Sequence, residues 1–171
     1  MNFRRLLVAS LILVLLVACT GPVSAKEIVI DSAVGVKEGT SVPILIKATN
    51  ATKIDTFELH IYFDSTVLAI NASYPKKTDE WGADVVGNLV SAGHAAFASS
   101  KATEGPSGTV PLFTVDATAL KNDGSRSVLG VNVALIGENG AIDVTSQYTT
   151  VNGTFTTLDE VPPTITITSP A

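Results

Sequence analysis

Residues 56–63 constrain this chain more than any other stretch. Phe57, Leu59, Ile61 and Phe63 alternate there with Thr56, Glu58, His60 and Tyr62. A strand turns successive side chains to opposite faces, whereas an amphipathic helix needs apolar residues three and four apart. The alternation predicts a strand with its odd-numbered side chains in a core and its even-numbered ones facing outward. One dry face and one wet face fit an antiparallel sheet in a sandwich rather than a parallel sheet wrapped in helices.

Beyond Lys26 the same kind of signal recurs, and no helical period does. Residues 27–31 and 42–49 read as strands on either side of Gly39. In the second of these, Val42, Ile44 and Ile46 share a face, and Pro43 marks its start or an edge. Asp64-Ser65 makes a turn into a short strand over 67–71. Residues 73–87 are irregular and hold the single Trp, Trp81. Residues 88–92 and 94–99 read as strands across Gly93, before a loop over 101–108 rich in Gly, Pro and Ser. Residues 109–120 form a long strand with Val110, Phe113, Val115 and Ala117 in the core. The jump from Val110 to Phe113 breaks the period and predicts a bulge near Pro111. Asn122-Asp123-Gly124 turns the chain into a strand over 128–137. Asn139-Gly140 is the strongest hairpin signal, because both residues tolerate positive φ. Strands over 141–144 and 147–157 bring the total to about nine. This pattern predicts an all-β sandwich.

The two ends carry different information. Arg4-Arg5 precede an apolar run from Leu6 to Ala18, which matches a secretory leader and is too short for a typical spanning helix of about 20 residues. Two exits follow it, so residues 1–25 read as a signal segment with two possible ends. Leu16-Val17-Ala18-Cys19 reads as a lipobox, with a lipid on the Cys19 thiol tethering the protein to a membrane. Val23-Ser24-Ala25 reads as an ordinary cleavage site after Ala25. Cys19 is the only cysteine, so neither a disulfide framework nor a Cys-based zinc site is available to the mature chain. At the other end, residues 159–171 read as a linker stiffened by Pro162-Pro163, followed by the start of a further module. The net charge of −5 excludes the basic stripe that nucleic-acid binding needs.

The order of motifs resembles the cohesin family over residues 26–158. Glu38-Gly39-Thr40-Ser41-Val42-Pro43-Ile44 resembles the family's opening glycine turn and edge strand. Residues 57–70 resemble its central signature, an alternating strand ending in an aromatic residue and Asp, then a turn and Val-Leu-x-Ile. Residues 108–117 resemble its later glycine-led strand. Glu138-Asn139-Gly140, Ile142 and residues 151–155 resemble its closing hairpin and last strand. The resemblance implies a nine-strand jelly-roll sandwich that binds a dockerin, a small calcium-loaded helical module on an enzyme or surface protein. It implies no cofactor for this chain, with calcium belonging to the partner. It also implies that the outward positions of the central strand, Thr56, Glu58, His60 and Tyr62, help form the docking face. Glu58 falls where an acidic contact residue is common, while His60 and Tyr62 depart from the commonest patterns. A non-catalytic scaffold or anchor at the cell surface, serving polysaccharide catabolism, is the function this suggests.

Rival chemistries find less support. Glycoside hydrolysis needs two carboxyls about 5–9 Å apart in a cleft. Asp79, Glu80 and Asp84 surround Trp81 but read as an acidic surface loop. The two histidines, His60 and His94, have no metal-ligand spacing, and no HExxH or GxSxG sequence occurs. His60 reads as exposed on the sheet face and His94 as a turn-edge residue. A carbohydrate-binding strip needs several exposed coplanar rings, and Tyr62, Tyr74, Trp81 and Tyr148 lie on different segments, so sugar stacking is restricted to Tyr74 and Trp81. A structural envelope or stalk module without dockerin binding is the other alternative. Three N-glycosylation sequons begin at Asn50, Asn71 and Asn152. The acidic turns at Asn122-Asp123 and Glu138-Asn139 lack the ligand count of a dedicated calcium site.

Overall fold

The computed structural model describes residues 24–164. The apolar leader, the lipid site at Cys19 and the Thr–Ile alternation after Thr164 lie outside the described residues. Thirteen strand segments follow one another: β1 (Lys26–Ile30), β2 (Ala33–Val36), β3 (Ser41–Ala51), β4 (Ile54–Tyr62), β5 (Leu68–Ile70), β6 (Lys76–Lys77), β7 (Val86–Ser91), β8 (His94–Ser100), β9 (Gly108–Ala119), β10 (Arg126–Glu138), β11 (Ile142–Asp143), β12 (Tyr148–Val151) and β13 (Gly153–Thr157). Among the described residues the only helical element is a single 3-10 turn at Thr145–Gln147. No helix among them is long and apolar enough to cross a membrane.

The strands form two facing sheets. One runs β12-β1-β3-β9-β5, with β6 also against β9. The other runs β2-β13-β10-β4-β8-β7, with β11 against β10. The core lies between them. Phe57, Leu59 and Ile61 of β4 face Ile44, Ile46 and Ala48 of β3 and Val110, Phe113, Val115 and Ala117 of β9, all buried. Each large apolar side chain buried this way contributes about 1.5–3 kcal/mol. Phe57 stacks on Phe113 with centroids 5.5 Å apart, and Phe97 tilts onto the same ring at 4.9 Å.

Local irregularities follow from the residues. In the β3–β9 ladder Ile46 pairs with Phe113 but Lys47 pairs with Pro111, so Leu112 is the extra residue of a bulge. That bulge lets Leu112 and Phe113 both point inward, as the broken period near Pro111 predicts. Because β1 pairs only with Ile46–Thr49, Pro43 lies where β9 is the single strand partner of β3. Asn139 and Gly140 both have positive φ, 54° and 90°, as the hairpin signal requires.

Two expectations need correction. Among the described residues the strand segments number thirteen rather than about nine. The short β2 and β6 are additions, the strand expected over 141–144 is the short β11, and the single strand expected over 147–157 is two strands in different sheets. Tyr148–Val151 runs parallel to β1, and Gly153–Thr157 lies between β2 and β10. Asn152 makes the crossing and accepts a bond from the Val131 amide at 3.1 Å. Gly153 is required there by space, since a Cβ would lie 2.5 Å from the Asp31 carbonyl oxygen. Gly153→Ala is expected to lower the unfolding free energy by about 1–3 kcal/mol, read from urea denaturation, because the backbone must shift to admit a methyl.

The second correction concerns Trp81. Sugar stacking needs an exposed ring, and Trp81 has 0% exposure. Its ring packs on Phe57 at 5.0 Å, and its indole N–H donates to Ser99 Oγ at 2.9 Å. The irregular segment carries it in to fill the space beside the β4–β9 aromatic stack.

One ionic cluster lies inside the fold. Glu138 accepts from the Lys26 ammonium, from the Thr52 amide at 2.8 Å and from the Tyr148 hydroxyl at 2.7 Å. Burial pushes the Glu138 carboxyl up, but these three donors together outweigh it and hold the carboxyl below its ordinary value. Burial, then the bond to Glu138 and its charge, push the Tyr148 phenol up. The cluster ties β1 and β12 of one sheet to β10 of the other.

Candidate partner-binding face

The even-numbered side chains of β4 lie on the outer face of the second sheet. Glu58 and Tyr62 are exposed, with 49% of the Glu58 side chain and 45% of Tyr62 accessible. Thr56 and His60 are half-buried. All four sequence-predicted positions share this face, because a strand of period two has no other way to arrange them.

Their neighbours set the relief. Glu58 pairs across with Leu135 on one side and Ala98 on the other. His60 pairs with Asn132 and Ala96, and Tyr62 with Gly130 and His94. The small Ala96, Ala98 and Gly130 leave the longer side chains of β4 standing above the sheet. Leu135 is outward because Ala134 is the extra residue of a second bulge, between Val133 opposite Leu59 and Leu135 opposite Glu58. Val86 on the neighbouring edge strand is 73% exposed. A shallow hollow is lined by Thr56, Glu58, Val86, Ala98 and Leu135. A second, beside Tyr62, is lined by Asp64, Arg126, Val128 and Gly130. The face is a mixed surface of apolar floor and charged points, suited to a protein rather than to a small enclosed ligand.

The two histidines meet on it. His60 Nδ1 lies 2.8 Å from His94 Nε2, and His60 Nε2 lies 3.3 Å from Glu58 Oε1. The His94 ring stacks on Tyr62, with centroids 4.4 Å and planes 15° apart. Reading His94 as a turn-edge residue missed this. The contact depends on the pairing of β4 with β8, which no local pattern announces. Leu135 and Val86 were missed for the same kind of reason, one hidden by a bulge and the other on an edge strand.

Other singled-out residues have separate roles. Asp64 serves its own turn: the Thr66 amide and hydroxyl both donate to it and hold its carboxyl below the ordinary value. Asp79, Glu80 and Asp84 are exposed, and Lys77 pairs with Asp84 at 2.8 Å and lowers its carboxyl. Asn50, Asn71 and Asn152 are exposed, but the Asn50 amide nitrogen already donates to Ser24 Oγ at 2.9 Å and to the Ala25 carbonyl at 2.7 Å. Among the described residues no group of three or more His, Cys, Asp or Glu is placed to hold a metal ion.

No protein-family model and no curated protein matches the sequence. Solved structures match the fold. A non-cellulosomal cohesin from Archaeoglobus fulgidus aligns with a TM-score of 0.67 at 17% identity, covering 80% of this chain and 94% of that one. The sixth cohesin of scaffoldin B from Acetivibrio cellulolyticus, solved in complex with a dockerin, aligns at 0.67 and 18% identity over 80% of this chain and 100% of its own. A type I cohesin–dockerin complex from Clostridium thermocellum aligns at 0.67 and 16% identity over 79% and 100%. The two-sheet sandwich built by this sequence is the cohesin fold.

Proposed function

We propose that this protein is a non-catalytic anchoring module that holds a dockerin-type partner at the cell surface through the outer face of β4, β8 and β10. One observation supports this above the others. The strand carrying the cohesin-like central signature presents Glu58, His60 and Tyr62 to solvent, in a fold whose solved neighbours include complexes with dockerins. Outside the membrane, a lipid on Cys19 or an uncleaved leader would tether it. A partner bearing a polysaccharide-degrading enzyme would give the assembly its role in catabolism.

The test is a calcium-dependent pull-down. The immobilised chain is offered dockerin-bearing proteins encoded in the same genome, with calcium and then with chelator. Retention that chelator abolishes and added calcium restores is the expected result. No retention of any of them, with the chain instead held back by insoluble polysaccharide in affinity electrophoresis, would overturn the reading in favour of a carbohydrate-binding module. Metabolic labelling with a lipid analogue decides the tether: label lost in Cys19→Ala is expected.

A further inference from the structure

We propose that Asn139 is a latent deamidation site and that Asp55 holds it shut. Deamidation needs no enzyme. The backbone nitrogen of the residue after an asparagine attacks the side-chain amide carbon. The N–Cγ bond forms and the Cγ–Nδ2 bond breaks. Ammonia leaves, carrying the proton of that backbone nitrogen, and a five-membered succinimide remains. Water then opens the ring to aspartate or isoaspartate. The attack is easiest before glycine, which has no side chain to obstruct it. Two asparagines in the chain precede glycine, Asn139 and Asn152.

The fold treats the two pairs differently. Asn152 lies where the chain crosses between sheets. Its side-chain oxygen is fixed by the Val131 amide at 3.1 Å, and Gly153 is held in the ladder opposite Leu129. That pair can react only when the sheets part. Asn139 and Gly140 lie on an exposed hairpin with φ of 54° and 90°, and Ala141 follows at 64°. Asp55 holds this turn. Its Oδ2 accepts from the Gly140 N–H at 2.6 Å and from the Ala141 N–H at 2.9 Å. Asp55 is the extra residue of a bulge in β4, between Ile54 opposite Glu138 and Thr56 opposite Gly137, and it is 3% exposed. Its other oxygen, Oδ1, is buried without a partner among the described residues, an arrangement that costs stability. Gly137 leaves room for it, since a Cβ there would lie 3.0 Å from Oδ1. The nitrogen that would attack Asn139 is thus the one whose proton Asp55 holds. To attack, Gly140 must give up a buried acceptor, and losing its proton beside a carboxylate would set two negative charges together. Once formed, the product carries a new carboxyl next to Glu138, and isoaspartate lengthens the backbone of the turn that follows the Glu138 cluster.

Peptide mapping by mass spectrometry, after incubation at mildly alkaline pH, reads both sites in one sample. In the chain unfolded by guanidinium, the two pairs should react at similar rates. In the folded wild type both should be slow, Asn139 by at least about tenfold, the weight of one hydrogen bond to a charged group. In Asp55→Ala, Asn139 should speed up by at least about tenfold while Asn152 stays slow. Asn152 thereby reports whether the sandwich is still closed. Folded wild type that deamidates at Asn139 as fast as the unfolded chain would overturn the inference, and so would an Asp55→Ala chain in which Asn139 stays slow. If Asp55→Ala speeds both sites together, the variant has opened as a whole, and amide hydrogen exchange in the wild type decides instead. Exchange removes the same Gly140 proton that the attack must remove. Gly140 is expected to exchange at least about tenfold more slowly than in the unfolded chain, despite its place on an exposed turn. Exchange at the unfolded rate would show that Asp55 holds nothing shut.

Discussion

Glu58→Lys combined with Tyr62→Ala is expected to weaken partner binding by at least about thirtyfold while leaving the sandwich folded. Tyr is among the residues that dominate protein interfaces, and each such contact is worth about 2 kcal/mol or more when truncated. Reversing a charge on the same face adds repulsion to the loss. Both side chains point away from the core, so the fold should not register their removal. Calorimetric affinity and a thermal melt on the same sample separate the two effects. A melt that collapses with the affinity would mean that the inside–outside assignment of β4 is wrong.

Glu138→Ala is expected to lower the unfolding free energy by about 3–5 kcal/mol, the usual effect of breaking a buried ion pair from one side. The Lys26 ammonium, the Tyr148 hydroxyl and the Thr52 amide would all lose their acceptor. The pH dependence has a definite sign. The folded-state carboxyl lies below its ordinary value of 4.5, so the unfolded chain binds the more protons between the two values. The contribution of Glu138 is therefore fully present above about pH 4.5 and is lost as pH falls through the folded value. Urea denaturation at pH 7 and pH 3.5 checks both parts. Glu138→Gln should be less stable than wild type at pH 7, and the gap should narrow at pH 3.5. Equal stability at pH 7 would show that the cluster contributes nothing net.

These expectations divide along the line between what local pattern encodes and what pairing encodes. Residues 56–63 were legible because alternation reports which side chains are hidden, and burial of Phe57, Leu59 and Ile61 follows from it. The bulge at Leu112 was legible because a bulge disturbs that same period. The turn at Asn139-Gly140 was legible because few residues accept positive φ. The change of sheet at Asn152-Gly153 was not, since Tyr148–Val151 and Gly153–Thr157 each look like strand and neither names its partner. Trp81 shows the same gap. Its segment has no period, and its burial is decided by a space that exists only once β4, β8 and β9 have assembled. In the candidate face, Thr56, Glu58, His60 and Tyr62 were placed by their own strand. Leu135 needed the Ala134 bulge, and the His60–His94 contact needed the β4–β8 register.

Backbone amide shift changes in NMR, followed while a calcium-loaded dockerin partner is added, test the docking face most directly. The largest changes are predicted at Thr56–Tyr62 of β4 and at their neighbours in β8 and β10. Changes centred instead on the opposite outer face, around Leu45, Lys47, Thr114 and Asp116, would place the partner on the wrong sheet and contradict the account.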